Sequence, residues 1–138
     1  MKFNIHNVKY IVNKEKGVVV AYLDKDATLA FKTKNVRELL KGASDRMTYR
    51  ICDKYYDIYK EPFTFKAVAK LHPKDEWDEE LGKRIALDKL QLKLKKYIVT
   101  GLEKMDKKMK SIYGLIVDKT MSEQEGIEYL SKKVESYK

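Results

Sequence analysis

The sequence predicts an α+β fold: an N-terminal antiparallel β-sheet with a short helix, followed by one long amphipathic helix and a short C-terminal helix. Three observations carry that prediction. Two short β-branched runs flank a turn near the N-terminus. A period-two segment lies at Phe63–Leu71. From Asp78 onward, proline is absent and apolar residues recur every three or four positions.

The elements follow in order. Phe3–Val12 alternates through Ile5, Val8, Tyr10 and Val12, and reads as a strand. Asn13–Gly17 (NKEKG) is turn chemistry, and Val18–Leu23 is a short apolar run, so the two strands form a hairpin. Asp24–Asp26 makes a second turn and Thr28–Lys32 a third strand. Asn35 caps a short helix, Val36–Lys41, stopped by Gly42. Met47–Cys52 reads as a strand, and Asp53–Lys60 (DKYYDIYK) has no clean period. In Phe63–Leu71 the residues Phe63, Phe65, Ala67, Ala69 and Leu71 share one face, and His72-Pro73 ends the strand.

The long helix starts at Asp78. Leu87, Leu90, Leu94, Ile98, Leu102, Met105, Met109, Ile112 and Ile116 are spaced 3-4-4-4-3-4-3-4, with room for a break near Gly101. Leu81, Ile85, Leu92 and Val99 form a second apolar strip. Ser122 stands three residues before Glu125, a capping box that predicts a separate C-terminal helix carrying Ile127, Leu130, Val134 and Tyr137. The chain, 138 residues, reads as a single domain, mainly sheet over 1–72 and helical over 75–138.

Five carboxylates crowd Asp75–Glu80 beside His72. A helix start presents unpaired N–H groups and a positive dipole end, which aspartate caps and first-turn acids satisfy. Consecutive acids splay around a helix axis, so they do not converge as metal ligands. With two histidines and one cysteine, Cys52, neither a zinc site nor a disulfide is expected. No Walker, G-x-S-x-G or H-E-x-x-H pattern is present. The sequence therefore predicts a non-enzyme without metal or cofactor. No apolar run is long enough for a membrane span and the N-terminus lacks a signal-peptide pattern, so a cytoplasmic protein is expected.

The net charge of +9 points to anionic partners. Between Lys83 and Lys110 there are ten basic residues and three acids. On a helical wheel Lys89, Lys93, Lys96, Lys104 and Lys107 gather opposite the main apolar stripe. These lysines, with Arg84, are the candidate ligand-binding cations. Tyr49, Tyr55, Tyr56 and Tyr59, flanked by Arg50, Lys54 and Lys60, can stack a base, with Tyr55 and Tyr56 as the foremost candidates. Lysines act on phosphate as point charges, which disfavours sequence-specific base reading. The expected partner is an anionic nucleotide-type small molecule or a nucleic acid. A long helix needing apolar cover predicts a homo-oligomer.

The block FKAVAKLHPKDEWDEELGKRIALDKLQLK, Phe65–Lys93, contains Ala69-x-x-x-Pro73-x-Asp75-x-x-Asp78-x-x-x-Gly82 and then a basic helix with Ala86. With the preceding hairpin KYIVNKEKGVVVAYL, it resembles small phage- and prophage-encoded proteins, and among named families the Thoeris anti-defence sponges. That resemblance implies a phage-encoded oligomer that sequesters a cyclic ADP-ribose-like or cyclic nucleotide immune signal without cleaving it. It carries over no ligand-contacting residue. A non-sequence-specific nucleic-acid binder, or an inhibitor docking on a host defence factor, are the alternatives.

Overall fold

The computed structural model describes residues 7–41, 46, 50, 54, 56–72, 74 and 76–137. Its elements are β1 (Lys9–Asn13), β2 (Val18–Leu23), α1 (Lys25–Leu40), β3 (Phe65–Lys70) and α2 (Glu79–Glu135). The architecture is α+β. The chain divides into two compact units, Met1–Leu102 and Glu103–Lys138.

The hairpin forms about the expected turn, but its first strand is shorter than Phe3–Val12: it begins at Lys9, and Asn7 is a bend with a φ of 63°. Gly17 takes a positive φ of 62°, and its N–H donates to the Lys14 carbonyl oxygen (3.2 Å). A left-handed residue is cheapest as glycine. β1 and β2 then pair antiparallel from Lys9↔Tyr22 to Asn13↔Val18. β2 pairs antiparallel with β3 from Val18↔Lys70 to Leu23↔Phe65, giving the order β1-β2-β3. β3 keeps its period of two: Phe65, Ala67 and Ala69 are buried while Lys66, Val68 and Lys70 are exposed. The inward face of β2 supplies Val19, Ala21 and Leu23, all fully buried.

Residues 24–40 differ from the expected turn, strand and short helix. Asp24 caps one 16-residue helix, its Oδ1 accepting from the Ala27 N–H (2.8 Å). The buried positions Thr28, Lys32 and Val36 recur every four residues, which is a helix period. Lysine at the middle of that stripe breaks its apolar pattern, and the β-branched threonines mimic a strand. Asn35 does not cap a helix; it lies inside α1, and its Nδ2 donates to the Phe31 carbonyl (3.1 Å).

α2 starts as read: Asp78 Oδ1 accepts from the Leu81 N–H (3.1 Å), and Glu79 pairs with Lys83 (3.5 Å). The acidic run is thus a helix start among the described residues; Asp75 and Gly42 lie outside them, and of the expected strand Met47–Cys52 the one described residue, Arg50, is helical rather than extended. The helix runs on through Gly101 and through Ser122, so the separate C-terminal helix is not formed. No proline or helix-stopping turn lies between Glu79 and Ser122, and a capping box cannot start a helix that is already running.

The seam of α2 against the sheet also differs. Gly82, Ala86, Leu90 and Leu94, spaced by four, are buried. Leu81, Leu92 and Val99 are exposed, and Ile85 packs at the rim of the core. Small residues bring the helix close to the sheet: a Cβ at Gly82 would lie 2.7 Å from Val19 Cγ2. No helix among the described residues is long and apolar enough to cross a membrane.

Candidate functional site: a lysine-lined pocket beside an aromatic cluster

The core face of α1 carries a charge. Lys32 is 1% exposed. Its Nζ donates to the carbonyl oxygens of Lys60 (2.7 Å) and Pro62 (2.6 Å) and lies 5.5 Å from the Tyr97 ring centroid. An ammonium has three donors; here two meet carbonyls and the charge faces a π-system. Among the described residues no carboxylate lies within ion-pair distance of it. Burial lowers its pKa from 10.5, opposed by the charge of Asp57.

Around this lysine the aromatic rings are fixed. Phe31, Phe65 and Tyr97 meet pairwise with centroids 5.4–6.3 Å apart, the Phe65 contacts edge-to-face. The Tyr97 hydroxyl donates to the Tyr56 carbonyl (2.7 Å). Burial pushes the Tyr97 pKa up to about 12, with the charges of Tyr56 and Asp57 adding to it, so it remains a neutral donor. Tyr97 from α2 and Lys32 from α1 both tie down the turn at residues 56–62.

The turn and α1 enclose a cavity of about 240 Å³, lined by Lys25, Thr28, Leu29, Lys32, Ile58, Tyr59, Pro62 and Phe63. Its walls are mainly apolar. Tyr59 and Phe63 are 75% and 47% exposed. Ligand pockets of this kind combine apolar walls with a few fixed polar groups. The arrangement can hold a flat, partly apolar group near a positive charge.

The cations expected to bind from sequence all lie on α2. Lys89 Nζ donates to the Val68 carbonyl (3.2 Å) and Lys93 Nζ to the Lys66 carbonyl (2.6 Å), so both cover the outer edge of β3. Arg84 and Lys96 are exposed on the same unit, while Lys104 and Lys107 are exposed on the second. None of the five lysines forms an ion pair with a described carboxylate, whereas Lys110 pairs with Asp106 (3.0 Å). Tyr56 is buried, its ring against Gly101, and so cannot serve as an exposed stacking face. Tyr55 lies outside the described residues. The sequence reading did not single out Lys32; it counted Tyr59 among the stacking tyrosines and set Phe63 within a strand, whereas Phe63 precedes β3 and lines the pocket. Lys32 could have been found as the lysine four residues after Thr28 and four before Val36 on one helix face.

Among the described residues, no group of three His, Cys, Asp or Glu side chains gathers as a cation site. Comparison with protein-family models, curated proteins and solved structures finds no match to the chain.

Proposed function

We propose that this protein is a non-enzymatic binding protein that captures a small anionic, nucleotide-type ligand at the pocket between α1 and the 56–62 turn. The observation that supports this reading is the buried Lys32 ammonium on the pocket wall, held by carbonyls and a ring rather than by a carboxylate. A positive charge placed in a low-dielectric wall acts on an anion more strongly than the same charge in water. Lys25 adds a second cation, and Tyr59 and Phe63 offer exposed rings for a planar group. A cavity of about 240 Å³ lies below the usual range for whole drug-sized ligands, so it receives one ring or one phosphate-bearing part. The resemblance of Phe65–Lys93 supplies the setting: a phage-type protein that counters host defence by sequestering a cyclic ADP-ribose-like or cyclic nucleotide signal. Isothermal titration with cyclic ADP-ribose isomers, cyclic nucleotides and AMP tests it. Saturable heat is expected from at least one. Lys25→Ala combined with Tyr59→Ala should weaken that binding by tenfold or more, about 1.4 kcal/mol. Absence of heat with all of them removes the reading.

A further inference from the structure

The second unit presents a helix without a core. Beyond Gly101 no described residue is buried, although Ile112, Tyr113, Leu115, Ile116, Ile127 and Leu130 are large and apolar. Ile116 and Ile127 are 57% and 65% exposed. In proteins, helical stability comes mostly from packing an apolar face, so such a helix calls for a cover.

Its seam has an unusual symmetry. Met105, Met109, Ile112, Ile116, Thr120, Glu123 and Ile127 are spaced 4-3-4-4-3-4. The steps are those of an eleven-residue coiled-coil repeat, and they read the same in both directions from Ile116. An antiparallel second copy with Ile116 on the twofold axis places Met105 beside Ile127, Met109 beside Glu123 and Ile112 beside Thr120. All seven layers then coincide. The apolar surface is widest at the axis, where Tyr113 and Leu115 flank Ile112 and Ile116.

Charge selects the same direction. Residues 104–110 hold four lysines and one aspartate, net +3; residues 122–128 hold three glutamates and no base, net −3. The antiparallel register sets these two blocks at equal height. A parallel pair would set like against like, and would stack Glu123 on Glu123 inside the seam, with Lys119 (2.8 Å away on the same helix) as its only ion-pair partner among the described residues. Separations across a two-helix interface fall within the screening length of about 8–10 Å.

We infer that the helix of the second unit is a self-association element, which pairs with a second copy of this chain antiparallel and in register about Ile116. The inference does not depend on what the pocket binds. Light scattering of the full chain should give twice its 16.3 kDa, and Ile116→Lys should return that mass to 16.3 kDa while the fluorescence of Trp77, packed on the core of the first unit, stays native. Direction is read by crosslinking in a Cys52→Ser background. Met105→Cys and Ile127→Cys variants should each fail to form a disulfide alone and should form one when mixed. A monomeric wild-type chain, self-crosslinking of Met105→Cys, or no disulfide in the mixture overturns the proposal.

Discussion

Gly82→Ala should weaken the protein, although alanine is the better helix former. The added Cβ would lie 2.7 Å from Val19 Cγ2 and 3.5 Å from its Cβ, against about 3.5–4.0 Å for carbon atoms at rest. Val19 has little freedom to yield. It is fully buried, it is β-branched, and its strand is paired on both sides, with Val12 and with Ala69. Overpacking at such a site costs about 1–3 kcal/mol, while replacing a helical glycine by alanine gains about 1 kcal/mol. The net loss is about 1 kcal/mol, which at about 1–3 kcal/mol/M lowers the urea midpoint by about 0.5 M. Trp77, the sole tryptophan, packs against the core and reports the transition by fluorescence. Val19→Ala removes the obstructing methyls, so Gly82→Ala should become neutral or stabilising in that background. A coupling of at least about 0.5 kcal/mol is expected in the double-mutant cycle. A midpoint that rises in Gly82→Ala alone, or a cycle without coupling, refutes the close approach of α2 to the sheet.

Three further outcomes are expected. Burial lowers the Lys32 pKa below 10.5 in the folded protein, so just below that pH the unfolded chain binds more protons. Stability from this site therefore rises with pH as it approaches 10.5 from below, and urea midpoints over that approach should gain on those of Lys32→Met; a constant difference contradicts the buried ammonium. The Asp24 carboxyl is held below its usual 3.8 by the Lys9 hydrogen bond at 2.6 Å and by the Ala27 N–H. Its contribution is present above 3.8 and is lost as pH falls through the lower folded value. The stability advantage of the wild type over Asp24→Asn should vanish there, and Asp24→Ala, which also loses the cap acceptor, should melt lowest of the three. Lys89→Ala with Lys93→Ala should lower stability by about 1 kcal/mol or less per hydrogen bond lost, read by the same urea assay, and no change would mean that the two contacts contribute nothing.

Much of the fold was legible because its signals are local. The hairpin follows from Asn13–Gly17 and the run Val18–Leu23, and β3 from strict alternation. α2 begins where Asp78 offers its carboxylate. What could not be read depends on partners distant in sequence. Lys32 belongs to a buried helix face only because the carbonyls of residues 60 and 62 come back to meet it. Gly82 and Ala86 carry no hydrophobic signal, yet they form the seam because Val19 stands opposite. The pocket was invisible for the same reason, since its two walls are some 30 residues apart in the chain and Thr28–Lys32 looked like a strand. The lysine ridge was read correctly as exposed, but the wheel could not foresee that two of its members would bend back toward β3.

Those two ammonium groups have a consequence for how the sheet meets other molecules. A carbonyl that already holds a lysine is poorly placed to receive an incoming amide, so Lys66 and Val68 make β3 a closed border for strand addition. Fibril-like stacking or capture of an extended peptide is thereby discouraged along that side, while both side chains keep the border hydrated and positive.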